Sequence, residues 1–213
     1  MAEESVADFA VRAGLSPRRV RALIASGALR ARRVGGHWLI DQSSDHRPAP
    51  SRALGTRMQA GLLAALSGQP SEQLSASERV RLRRYRDELL RSDEPDRLLK
   101  AWTRPTPPVR LRAADADLDD LARDDRVVTT GFSDPRAEMA AAGQLEARVA
   151  AVDAEALCRE FLLRPSDQPN VLLHYSAEKP SSPLPLGLLL VDLAGHDGAR
   201  ERARVADLLR ASS

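Results

Sequence analysis

The sequence predicts an α+β chain: an amino-terminal helix pair closed by a β-hairpin, a helical middle segment, and a small carboxyl-terminal α/β domain. Three observations predict it. Residues 5–40 hold two short amphipathic runs with clear start and stop residues, followed by two apolar runs around Gly35-Gly36. Residues 57–102 are apolar at helical spacing and end before a proline cluster, Pro105, Pro107 and Pro108. Beyond that cluster, short β-branched runs alternate with helical ones. The domains implied are 1–41, 42–104 and 105–213.

The first element opens at Ser5, an N-cap with Asp8 three residues on, and places Val6, Phe9, Ala10 and Ala13 on one face. Ala13-Gly14-Leu15 is a tight turn, because Gly14 can adopt positive φ. The second helix starts at Ser16 as N-cap with Pro17 at the first helical position, and Gly27 ends it. Leu29 to Ile40 then reads as a hairpin whose two-residue turn is Gly35-Gly36, with Val34, Trp38 and Ile40 apolar. The order is helix, turn, helix and β-wing, a winged helix-turn-helix.

Charge decides what this unit binds. Residues 5–40 carry seven arginines against one acid, Asp8, a net charge of +6. On a helical wheel Val20, Leu23 and Ile24 face the first helix, while Arg18, Ala22 and Ala25 lie opposite, flanked by Arg19 and Arg21. A helix apolar behind, basic in front and small at the centre of its exposed face suits the major groove. Ser16 and the helix start meet a phosphate, and Arg18 reaches guanine edges. On the wing Arg30, Arg32, Arg33 and His37 suit backbone or minor-groove contact. The competing reading is a solvated arginine face on an arginine-rich chain.

The segment SVADFAVRAGLSPRRVRALIASGALRARRVGGHWLI resembles the winged helix-turn-helix of excisionases and MerR-type regulators. The shared features are an opening helix with a buried aromatic, a Gly turn, a Ser-Pro start and a Gly-Gly wing closing on Trp38. The resemblance implies double-stranded DNA as ligand and covers 36 residues.

Composition bounds the rest. At 213 residues with 43% hydrophobic but only 3% aromatic residues, the core must be built from Leu, Val and Ala. The net charge of +2 is unevenly spread: residues 1–41 carry +3, 42–104 carry +4 and 105–213 carry −5. That asymmetry points to nucleic acid at one end and another partner at the other. Cys158 is the one cysteine, so a disulfide framework is excluded and a reducing compartment fits. Glu3 and Glu4 stand where a basic signal-peptide region would be, and the longest apolar run, 184–193, is interrupted by Pro185, Gly187 and Asp192. The expectation is a cytoplasmic protein with no membrane span.

Residues 41–51 read as a linker. Helices are expected at 57–66, from Ser75 or Ser77 to Leu90, and at 96–102. The arginines 79, 81, 83, 84 and 86 either track phosphates or form a solvated face salt-bridged to Asp87 and Glu88. The cluster Pro105-Thr106-Pro107-Pro108 reads as a stiff connector. Strands are expected at 126–130, 145–149 and 170–175, and 186–191 fits either strand or helix. Helices are expected at 117–123, 135–142, 153–163 and 199–209, the last two N-capped by Asp153 and Asp197.

No catalytic set stands out. Gly131 to Arg136 has the Gly-Ser entry of a nucleotidyltransferase without the paired carboxylates that hold its metal, and reads instead as a strand end with a helix cap. Asp115, Asp117, Asp119 and Asp120 lack the Gly and closing Glu of a calcium loop. His174 with Asp192 lacks a nucleophile elbow, and the four histidines with Cys158 lack metal-ligand spacing. The expectation is a non-enzyme with no metal and no cofactor.

The segments DDRVVTTGFSDPRAEMAAAGQLEARV, NVLLHY and LLLVDLAGHDGARERARVADLL are similar to the carboxyl domain of AbiEi-type antitoxins. That resemblance covers 75–213 loosely and 126–210 best. It implies a DNA-binding antitoxin that represses its own operon and opposes an AbiEii-type nucleotidyltransferase toxin. On this reading the partners are the chain's own operator, the toxin and a second copy in a homodimer. The surface expected to face the toxin includes Asp134, Arg136, Arg200 and Arg202. The alternative is a free-standing MerR- or excisionase-like regulator with a ligand-sensing or dimerisation domain. An enzyme with an appended helix-turn-helix is the third, and the missing catalytic set disfavours it.

Overall fold

The computed structural model describes residues 3–13, 15–25, 29, 31–41, 53–71, 74–139 and 142–212. The chain is mixed α+β and divides into two compact units, Met1–Ala49 and Pro50–Ser213.

In the first unit β1 (Glu3–Ser5) leads into α1 (Val6–Arg12), followed by α2 (Pro17–Ala25), β2 (Ala31–Val34) and β3 (His37–Asp41). Ser5 caps α1: its Oγ accepts from the Asp8 N–H at 3.2 Å and donates to Asp8 Oδ2 at 2.6 Å. Ser16 Oγ accepts from the Arg19 N–H at 3.2 Å at the start of α2. Both turn glycines have positive φ, +55° at Gly35 and +87° at Gly36, as a two-residue hairpin of this twist requires. Strand β1 is an addition to the expected elements: it pairs antiparallel with β3 and makes a three-stranded sheet in the order β1-β3-β2. Phe9, Val20, Leu23, Ile24, Leu29 and Ile40 close a small core, with Trp38 packed against it. Val34 differs from the expectation and is exposed beside the turn. Gly14, Gly27, Arg30 and most of the expected linker (42–51) lie outside the described residues.

The second unit runs α3 (Thr56–Leu66), α4 (Ala76–Arg91), α5 (Pro95–Thr103), β4 (Val109–Arg112), α6 (Leu118–Arg123) and β5 (Val127–Thr129). It continues with β6 (Leu145–Ala150), α7 (Ala151–Glu160), β7 (Arg164–Pro165), β8 (Val171–Ser176), α8 (Leu186–Gly195) and α9 (Ala199–Ala211). Ser75 starts α4 with a full capping box to Glu78. The sheet order is β5-β6-β8-β4-β7, with β6 and β8 parallel and the other pairs antiparallel.

One sheet face, with Leu145, Ala147, Val149, Val171 and Leu173, packs on Leu121 of α6 and Leu157 of α7. A second core joins Leu62 of α3, Leu99 and Trp102 of α5, Leu189 and Leu193 of α8, and Leu209 of α9. The run at 186–191 is therefore helical. Helix α8 buries Leu189 through Ala194 because it has neighbours all round, which is what an apolar helix without a polar face requires.

Several expectations change. The boundary near residue 104 falls inside the second unit, because α5 packs on α8 and α9 across the proline cluster. Strand β4 follows those prolines directly. Of the helix expected at 135–142, residues 135–137 form a single 3₁₀ turn that stops where Glu138 takes a left-handed conformation (φ +52°), and residues 140 and 141 lie outside the described residues. Helix α7 starts at Ala151 with Ala150 as N-cap, leaving Asp153 in the first turn, and Gly198 rather than Asp197 caps α9.

Candidate nucleic-acid interface and a buried polar centre

In the first unit α2 turns Val20, Leu23 and Ile24 inward and leaves Ser16, Arg18, Arg19, Arg21, Ala22 and Ala25 exposed. Three guanidinium groups thus stand on one nine-residue helix whose centre carries small side chains. Arg12 is held apart from this set by a bidentate ion pair with Glu4, and its guanidinium lies 4.9 Å from the Phe9 ring centroid.

On the hairpin Arg32, Arg33 and His37 are all exposed. Strand pairing sets their faces: Arg33 lies opposite Trp38, Arg32 opposite Leu39 and Val34 opposite His37. Side chains alternate along a strand, so Arg32 and His37 share the face away from Trp38 while Arg33 stands on the other. The wing therefore presents cations on both sides of its tip.

The arginines of α4 lack the expected pairing. Among the described residues Arg91 bonds to Asp87, and Arg81, Arg83, Arg84 and Arg86 form no ion pair.

Of the four residues expected to face a partner, two are structural ties. Asp134 is buried and caps the turn at Arg136, whose guanidinium Nε and Nη2 donate to it at 2.9 and 2.6 Å. Arg136 also donates to the Leu184 carbonyl at 2.7 Å and accepts from Arg204 through its own carbonyl. Arg200 and Arg202 are exposed at the start of α9, and Arg202 donates to the Asp197 carbonyl at 2.7 Å.

A third constellation was not visible in the sequence. Strand β6 alternates Leu145, Ala147 and Val149 toward α6 and α7 with Glu146 and Arg148 toward the opposite face, in register with Leu172 and His174 of β8. That opposite face meets Asp192 of α8 instead of water. Asp192 accepts from Arg148 Nε at 2.7 Å and Nη2 at 2.5 Å, and from Thr130 Oγ1 at 2.6 Å. Glu146 bonds to two imidazoles, His174 Nε2 and His196 Nε2, each at 2.8 Å, and accepts from the Phe132 N–H at 3.1 Å. The second ring nitrogen of His174 is 3.6 Å from Asp192.

Both carboxylates have no exposed side-chain surface, so each is stable only because its oxygens are occupied. Burial pushes the Glu146 carboxyl up, but the hydrogen bonds of His174 and His196 outweigh it and hold it below the ordinary carboxylate range. The same carboxylate raises His196 above the usual 6.5. Gly131 makes room for this arrangement: at φ +52° a Cβ there would sit 1.7 Å from Glu146 Oε2.

Glu146, His174, Asp192 and His196 form the floor of a cleft of about 490 Å³. Among the described residues no group of three or more His, Cys, Asp or Glu side chains is placed to hold a metal ion, and no helix is long and apolar enough to cross a membrane. No protein-family model, curated protein or solved structure matches this chain.

Proposed function

We propose that this protein is a double-stranded DNA-binding transcriptional repressor whose first unit acts as a winged helix-turn-helix. The observation that carries the reading is the exposed face of α2: Arg18, Arg19 and Arg21 around Ala22 and Ala25, backed by Val20, Leu23 and Ile24. The hairpin arginines supply the sequence-independent part of the binding together with Ser16 and the helix start, which meet a phosphate, and Arg18 supplies base recognition. Replacing Arg18 by alanine is expected to weaken operator binding by about 1–3 kcal/mol while changing nonspecific binding little. Arg32→Ala should instead weaken all sequences alike. Mobility shifts on operator and scrambled DNA read both, and equal ratios for the two variants would remove α2 from the groove.

The operon-level role follows the resemblance to AbiEi-type antitoxins: repression of the chain's own promoter and protection against a nucleotidyltransferase toxin. The second unit, with α3–α5 included, is the part assigned to protection. The test uses the full chain with Arg18, Arg19 and Arg21 all changed to alanine, co-expressed with a nucleotidyltransferase encoded beside it. Growth rescue without promoter repression is the expected outcome. Loss of both together, with the variant folded, would mean that protection runs through DNA binding alone.

A further inference from the structure

The cleft over the Glu146 centre has a polar floor, apolar walls and a charged rim. Its walls include Pro107, Pro108, Leu172 and Val191, and Lys100 and Arg110 stand at its edge. A cleft of this size and mixture is what a small organic ligand needs.

His196 lines the cleft and has one ring nitrogen without a partner among the described residues. His196 donates through Nε2 to Glu146, and its Nδ1 forms no hydrogen bond among the described residues. None of the buried polar side-chain atoms there lacks a partner, so Nδ1 is open to solvent. With Glu146 fixing Nε2–H, the protonated ring offers Nδ1–H outward.

Of the acids around this donor Glu201 forms no ion pair among the described residues, and the others are paired. Asp192 is matched by Arg148, Glu146 by His196, and Lys100 by Asp197 at 2.8 Å. Arg110 donates to the Asp167 carbonyl at 2.9 Å and forms no ion pair among the described residues, so its charge is unbalanced. One directed donor with one further positive charge suits a single carboxylate, and the walls call for a hydrocarbon body.

We propose that this cleft binds a small organic acid, its carboxylate accepting from His196 Nδ1 in the field of Arg110 and its apolar body against Leu172, Val191 and the prolines. The inference stands on the second unit alone and does not depend on the DNA-binding reading.

Binding is coupled to protonation of His196, which faces Glu146 on β6, His174 on β8, Asp192 on α8, Lys100 on α5, and Asp197 and Glu201 at the start of α9. Glu146, Glu201 and Asp192 all favour the protonated ring. Affinity is therefore present below the raised pKa of His196 and lost as pH rises through it.

The experiment titrates the full chain with benzoate, phenylacetate and hexanoate, with their primary amides, and with inorganic phosphate, following the His196 ring and the backbone amides of the cleft residues by NMR, the backbone amides serving for the variants. At least one carboxylate should give a saturable shift that its amide does not, weakening about tenfold or more between about pH 6 and about pH 9. His196→Gln should abolish the carboxylate preference. Leu172→Glu, which places a negative charge on a partly exposed wall, should weaken binding with the circular dichroism spectrum unchanged. No saturable shift from any of the three acids up to about 20 mM, equal binding of acid and amide, or phosphate matching the acids would overturn the proposal.

Discussion

Replacing Asp192 by alanine is expected to lower the stability of the second unit by about 3–5 kcal/mol, because it leaves a guanidinium in the interior with no counter-charge. Arg148 retains 13% side-chain exposure and spends two of its nitrogens on Asp192, and Thr130 would lose its acceptor as well. Typical domains unfold at a cost of about 5–15 kcal/mol, so the loss is a large fraction of the total. Urea denaturation followed by circular dichroism measures the loss. The double variant Asp192→Leu with Arg148→Leu should recover most of it, since two apolar groups replace a desolvated pair. A single-variant loss below about 1 kcal/mol would show that water, not Asp192, solvates Arg148.

The second large effect is ionic. If Arg19, Arg21, Arg32 and Arg33 each displace one condensed counterion, the log–log salt slope is about −3.6, at about −0.9 per phosphate. Operator affinity should then fall roughly 150-fold between about 50 and about 200 mM salt. Alanine at any one of the four should flatten the slope by about 0.9. A slope shallower than about −1 would mean that these arginines do not lie on phosphates.

The first unit was largely legible because its signals are local. Ser16-Pro17 and Gly35-Gly36 act within a few residues of themselves, and the structure shows a helix start and a hairpin turn at those places. Strand β1 was not, since Glu3 to Ser5 form it only by pairing with a strand about 35 residues later. The same limit hid the buried centre. The pattern Leu-Glu-Ala-Arg-Val at 145–149 reads as a strand with one wet face, and nothing near it says that the polar face meets α8. Asp192, in turn, reads as a break in an apolar run until Arg148 is placed beside it. His174 and His196 carry no metal-ligand spacing, and they converge because β8 and the end of α8 both reach Glu146. The helix expected at 135–142 failed because Asp134 and Arg204 tie the Arg136 backbone into a turn that propensity alone does not encode.

The placement of α8 bears on the order in which the chain can acquire structure. Helices α3 to α5 bury Leu62, Leu99 and Trp102 in a core whose other side is Leu189, Leu190 and Leu193, more than 80 residues further along. During synthesis those early helices emerge with an apolar face that has no cover until α8 leaves the ribosome. At about 5–20 residues per second that interval lasts several seconds, long enough for chaperone capture or for misassembly with a neighbouring nascent chain. The core of the early helices is thus closed only once the late helix arrives, whereas the core between the sheet, α6 and α7 draws on residues 111–173 alone.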